Sequence, residues 1–152
     1  MPKKIMIFSD GGARGNPGSA AIAFLIISEK GRVLVTNSKY IGSHTNNQAE
    51  YKALIAALQS AMSLHAEEVI CHLDSELVVK QIVGEYSVKN KELRKMWSKV
   101  KEITTNFKRV SFKSVPRENI QIQKADALVN KALDEYSRNR GLEASDNSPR
   151  PL

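Results

Sequence analysis

The segment Ile5-Met6-Ile7-Phe8-Ser9-Asp10-Gly11-Gly12-Ala13-Arg14-Gly15-Asn16-Pro17-Gly18 carries the pattern on which the fold turns. Residues 4–9 are rich in β-formers and read as a short strand that ends at Asp10. Residues 11–18 hold four glycines and a proline, which is turn chemistry. Asp10 therefore stands at the end of an apolar strand with no basic neighbour before Arg14. A charge in such surroundings is costly unless something compensates it.

Working outward, residues 20–27 and 32–41 read as two more strands around the polar turn Ser28-Glu29-Lys30-Gly31, giving an antiparallel meander. The period then changes. Ala49, Ala53, Leu54, Ala57, Leu58, Ala61 and Met62 share one helix face, and Thr45 with Gln48 forms a capping box at its start. Residues 69–73 are a fourth strand ending at Asp74, and Ser75 caps a helix that stops at Gly84. A helix from Asn90 presents Leu93, Met96, Trp97, Val100 and Ile103 on one face and five Lys/Arg on the other. Residues 109–115 are the fifth strand, closed by Pro116, and a last helix is expected from about Gln123 to Arg138. The order β-β-β-α-β-α-α-β-α predicts an α/β fold. Three antiparallel strands precede two in crossover units, in a five-stranded mixed sheet flanked by helices. Residues 1–141 form the domain, and the Ser, Asp, Asn and Pro content of residues 142–152 predicts a disordered tail.

At 152 residues, 41% hydrophobic and 26% charged, the chain fits a globular domain. Its 23 Lys+Arg against 16 Asp+Glu give +7, which favours a polyanionic partner, nucleic acid ahead of a membrane surface. No apolar run reaches the ~18–20 residues of a membrane span, and residues 5–8 are too short for a signal-peptide core. One cysteine, Cys71, makes neither an internal disulfide nor a cysteine zinc site, so a cytoplasmic setting is the expectation.

Three further carboxylates share the oddity of Asp10. Asp74 ends the strand Val69-Ile70-Cys71-His72-Leu73, Glu50 lies in a helix beside Ala49, and Asp126 stands between Ala125 and Ala127. Singly, each is explained as a cap or turn residue. Brought to one end of the sheet, where ligands of open α/β sheets bind, they could not all ionise unaided. Hard divalent cations solve that problem, and Mg2+ suits a site shared with substrate phosphate.

Four stretches carry a resemblance: residues 8–18, Thr45-Asn46-Asn47-Gln48-Ala49-Glu50, Leu73-Asp74-Ser75-Glu76-Leu77-Val78, and Val115-Pro116-Arg117-Glu118-Asn119 running on to Asp126. The sequence resembles ribonuclease HI, of the RNase H superfamily, over residues 5 to about 135. The resemblance implies an RNase H-like fold and an endonuclease that cuts the RNA strand of RNA–DNA hybrids, leaving 5′-phosphate and 3′-hydroxyl ends. It implies that Asp10, Glu50, Asp74 and Asp126 hold two Mg2+ ions, with Mn2+ as a possible substitute. It also implies that Gly11 and Gly12 let the substrate strand approach and that Asn16, Asn46 and Asn47 read 2′-hydroxyls in the minor groove. Thr45 and Asn90 join them as substrate contacts, Thr45 on a DNA-strand phosphate. The expected partner is thus the hybrid duplex, bound by a monomer.

The chain departs from the family pattern at four places, one of them the run Asn119-Ile120-Gln121-Ile122-Gln123, whose two apolar residues stand where charged ones are usual and have no explanation in the sequence. The segment Gly84-Glu85-Tyr86-Ser87-Val88-Lys89-Asn90 leaves no room for the family's basic protrusion, for which the Lys/Arg helix face is a partial substitute. No histidine lies between Pro116 and Asp126, where the family has one, leaving Arg117 and Glu118 as the nearest auxiliary candidates. Ser43 occupies the position of a phosphate-binding arginine. Two alternatives stand beside the hybrid-cutting nuclease. One is a non-catalytic hybrid- or duplex-binding module; the other is a related nuclease that also cuts double-stranded RNA.

Overall fold

The computed structural model describes residues 3–146. Strands β1 (Lys4–Gly15), β2 (Gly18–Ser28) and β3 (Val33–His44) form the antiparallel meander. Helix α1 (Asn46–Met62), strand β4 (Glu68–Leu73), helices α2 (Glu76–Ile82) and α3 (Lys91–Thr104), strand β5 (Arg109–Ser114) and helix α4 (Ile120–Asp146) follow. The sheet order is β3-β2-β1-β4-β5, with β4 parallel to both β1 and β5. This is the mixed sheet that the element order predicts.

Two cores lie on the two faces of the sheet. On one, Ile5, Ile7, Val69, Cys71 and Leu73 pack against Tyr51, Leu54 and Leu58 of α1, Val78 and Ile82 of α2, and Val100 and Ile103 of α3. On the other, Phe8, Ala21, Ala23 and Leu25 pack against Ile122, Ala125, Val129 and Leu133 of α4. The alternation along β1 and β2 sends successive side chains to opposite layers, which is why these central strands read as almost unbroken apolar runs. Cys71, in β4, is wholly buried, and burial pushes its thiol far above the ordinary range.

Several boundaries differ from the sequence reading, β2 starting at Gly18 and β3 running on to His44 among them. Strand β1 does not stop at Asp10: it pairs with β2 from Ile5↔Ser28 to Gly15↔Gly18, so only Asn16 and Pro17 turn the hairpin. The glycines read as turn residues are strand residues. Gly11 is there because a Cβ would overlap the carbonyl of Ala49 in α1, and Gly18 because one would overlap the carbonyl of Arg14. Helix α4 starts at Ile120, where the Asn119 side chain accepts from the amides of Gln121 (3.0 Å) and Ile122 (3.2 Å). Ile122 is then a core residue and Ile120 an exposed one. At its far end α4 runs to Asp146, so residues 142–146 of the expected tail are helical; residues 147–152 lie outside the described residues.

Local signals place the remaining ends. Thr45 and Gln48 make both bonds of the capping box, Ser75 caps α2, and Asn90 caps α3 by accepting from the Leu93 amide at 3.0 Å. Among the described residues no helix intervenes between α2 and α3, in agreement with a missing protrusion. No helix of the described residues is long and apolar enough to cross a membrane.

Candidate active site

Parallel pairing of β1 with β4 sets the geometry. The last β1–β4 pair joins Phe8 to His72, whose rings stack at 4.3 Å. Asp10 and Asp74 each lie two residues further on, Asp10 where β1 runs on beyond its pairing with β4 and Asp74 just past the carboxyl end of β4. Glu50 enters from the second turn of α1, which rests on Gly11: the Gly11 amide donates to Glu50 Oε1 at 2.6 Å. One carboxylate oxygen each from Asp10, Glu50 and Asp74 lies within 4.8 Å of the others. Asp126, from the second turn of α4, lines the same cleft, of about 450 Å3, but falls outside that tight group. The Asn130 amide at 3.4 Å from its Oδ2 steadies it.

The electrostatics follow from this crowding. Asp10 and Glu50 are both buried, each 7% exposed. Burial pushes Asp10 up to about 7, the hydrogen bond with Glu50 opposes that rise, and the charges of Asp74 and Asp126 add to it. Glu50 is raised well above the carboxylate range by burial first and by Asp10 second. Its Oε2 is buried with no hydrogen-bond partner among the described residues. An all-oxygen donor set with an unpartnered buried carboxylate oxygen fits a hard divalent cation.

A pH dependence follows. A carboxyl raised from 3.8 to about 7 keeps in the folded state a proton that the unfolded chain has already released in that interval. Its contribution to stability is therefore present at the acid end of the window and falls away as pH rises toward 7. A cation must displace the same proton. We expect the rise in Tm on adding Mg2+ to be larger at about pH 8 than at about pH 5.5. An equal rise at both would show that these carboxylates do not hold the ion.

The other residues singled out in the sequence divide into three groups. Asn46, Asn47, Gly11, Gly12 and Arg117 line the cleft, and Arg117 Nε lies 3.4 Å from Asp74 Oδ2. Asn16 and Thr45 stand at its margin: the Asn46 amide donates to Asn16 Oδ1 at 3.0 Å and the Ala13 amide to Asn46 Oδ1 at 2.9 Å. With both carbonyls engaged, the side-chain NH2 groups of Asn16 and Asn46 are left as donors. Asn90 and Glu118 are absent from the cleft lining, and the Asn90 side chain is occupied in capping α3. Sequence reasoning passed over Arg14 and Asn130, which also line the cleft. The signal for Asn130 was its i+4 spacing from Asp126. A separate groove of about 390 Å3 between β3, α1 and α3 has Lys39 and Lys52 but no carboxylate in its lining, so the acid chemistry belongs to the cleft above.

A β3-β2-β1-β4-β5 sheet with one acidic residue within β1, one just past β4 and one each on α1 and α4 defines a domain of the RNase H fold. Residues 8–132 match the family described as Reverse transcriptase-like. Ribonuclease HI of Halobacterium salinarum is 39% identical over 132 residues, covering 87% of this chain and 65% of that protein. The crystal structure of RNase H1 from that archaeon matches with a TM-score of 0.83 and 38% identity, over 87% of this chain and 98% of that one. LC11-RNase H1, isolated from compost by a metagenomic approach, has been solved in complex with an RNA/DNA hybrid. It matches with a TM-score of 0.82 and 42% identity, over 87% of this chain and 98% of that one. The chain belongs to the ribonuclease HI family. It spans 65% of the length of its curated archaeal relative and 38% of mycobacterial relatives that are 37% identical to it.

Proposed function

We propose that this chain is an endonuclease that hydrolyses the RNA strand of RNA–DNA hybrids and leaves 5′-phosphate and 3′-hydroxyl ends. The observation that carries the reading is the gathering of Asp10, Glu50 and Asp74 within 4.8 Å, with Asp126 in the same cleft, in a protein of net charge +7. The hybrid held by its relative LC11-RNase H1 supports the same substrate here.

Asp10, Glu50, Asp74 and Asp126 would hold two Mg2+ ions, or Mn2+ in their place. When bound, such a pair supplies an activated water and neutralises charge on the attacked phosphate, so no nucleophilic side chain is needed. The chain's own contribution is placement. The Gly11 amide fixes Glu50, and the absence of a side chain at Gly12 leaves the cleft-wall backbone open to the sugar-phosphate strand. The free NH2 groups of Asn16 and Asn46, with Asn47 beside them, offer donors to 2′-hydroxyls and base edges. That is how RNA is told from DNA. The Thr45 hydroxyl, an acceptor in the capping box, keeps its proton to donate to a phosphate of the DNA strand. Arg117 is placed to answer charge at Asp74 in the loop that lacks a histidine. The accompanying reading is a monomer in a cytoplasmic setting, with residues 1–141 as the domain.

Strand-labelled RNA–DNA, RNA–RNA and DNA–DNA duplexes, incubated with Mg2+ and then Mn2+, test the proposal. The expected result is cutting of the RNA strand of the hybrid, abolished by EDTA, with products that a kinase cannot label without prior phosphatase treatment. Absence of hybrid cleavage with either metal, or equal cutting of the DNA duplex, would overturn it.

A further inference from the structure

Where the carboxylate cleft ends along α4, a smaller cleft of about 230 Å3 begins. Its lining is Arg14, Ser19, Leu133, Tyr136, Ser137 and Arg140, and Arg14 and Leu133 line the carboxylate cleft as well. The two share these walls. Every polar side chain in the smaller cleft can donate a hydrogen bond, and its lining has no carboxylate. The walls are braced. Arg14 Nη2 is 2.7 Å from Asp134 Oδ1 and 3.5 Å from Asn130 Oδ1, and the Tyr136 ring stacks on Tyr40 of β3 at 3.7 Å. Asp134 spends its charge on Arg14, whereas Arg140 has no ion-pair partner within 4.0 Å among the described residues. A solvated surface accounts for one exposed arginine. It does not account for two guanidiniums and three hydroxyls converging on one recess beside a strongly acidic site.

We propose that this recess is a subsite for the sugar-phosphate backbone of the duplex beyond the cut, with Arg140 as its principal phosphate contact. The inference rests on the nucleic-acid reading above and adds a place where the flanking strand is gripped. Eleven residues of α4 separate Asp126 from Ser137, about 16 Å along the helix axis. That separation spans several phosphates of a bound strand, so the recess lies beyond the nucleotides that flank the cut. The carboxylates repel phosphate until cations arrive, and a donor-only recess next to them holds the backbone in register meanwhile.

The test compares hybrids just long enough to cover the carboxylate cleft with hybrids extended on one side or the other of the same cut. Arg140 is exposed, so Arg140→Gln leaves the fold in place, and Lys30→Gln removes the same charge from the turn at the opposite end of the sheet. On one of the extended hybrids, kcat/KM of Arg140→Gln is expected to fall about three- to tenfold, through KM with kcat unchanged. Its salt dependence should lose about one unit of slope, and Arg140→Lys should restore it. The short hybrid and the Lys30→Gln protein should show no change. Equal behaviour of Arg140→Gln and Lys30→Gln on both extended hybrids would overturn the subsite while leaving the nuclease reading intact. If the parent protein cuts no hybrid, that reading fails instead. Anisotropy of a fluorescent hybrid in EDTA then decides the subsite alone, by the presence or absence of the same change in slope.

Discussion

Asp10→Asn is expected to lose hybrid cleavage by about a thousandfold or more, ~4 kcal/mol of barrier, and to melt higher than the parent protein in EDTA. Asn keeps the shape of the side chain but cannot supply the anionic oxygen that a divalent cation would need there. The loss of activity is the ordinary expectation for a ligand, whereas the gain in stability is specific to this geometry. In the metal-free protein Asp10 is buried with Glu50 against it, and burial first, with the charges of Asp74 and Asp126 adding to it, pushes its carboxyl up to about 7. Removing one member of that group relieves both desolvation and repulsion, by about 1–2 kcal/mol or roughly 3–6 °C in Tm for a domain of this size. Differential scanning fluorimetry in EDTA and then in Mg2+ reads both effects: the variant should start higher and gain less from the metal. An Asp10→Asn protein that melted lower than the parent in EDTA would show that the carboxylates are mutually supported without a cation.

Gly11→Ala should be among the most damaging additions of a single methyl group to the chain. An added Cβ would overlap the Ala49 carbonyl and come within 2.8 Å of the Glu50 amide nitrogen, both parts of the α1 backbone that no side-chain rotation can move. Relief requires α1 to slide off β1, which breaks the Gly11–Glu50 hydrogen bond and carries Glu50 away from Asp10 and Asp74. We expect about 3 kcal/mol or more of destabilisation, near 10 °C in Tm, with loss of cleavage in whatever remains folded. Gly12→Ala is the matched control, because its Cβ would meet only Val129 Cγ1, at 3.7 Å, and should melt within a degree or two of the parent. Comparable melting of the two variants would remove the close approach as the reason for glycine at position 11.

Most of the architecture was readable because the strands alternate or run apolar and the helices announce their caps. The Thr45–Gln48 box, Ser75 and Asn90 all act as their residue types predict. What misled was glycine. In β1 it marks close packing of α1 on the sheet, information that belongs to a distant segment and cannot be seen in the local run. The same blindness hid the role of Ile122, which makes sense only once α4 lies across β1 and β2. The four carboxylates stood out singly by their apolar surroundings. That Asp10 and Asp74 come together depends on the parallel β1–β4 register, and that Asp126 stands slightly apart depends on where α4 begins. Asn90 shows the converse: a residue type suited to groove contacts is already committed to holding the start of α3.

The wholly buried thiol of Cys71, on the strand between β1 and β5, has a practical use. A reagent can reach it only when the middle of the sheet parts, so its labelling rate counts whole-molecule opening events. The chain thus carries one natural clock for its own unfolding, readable without any engineered probe and indifferent to whatever occupies the acidic end of the sheet, except as that occupant slows the ticking.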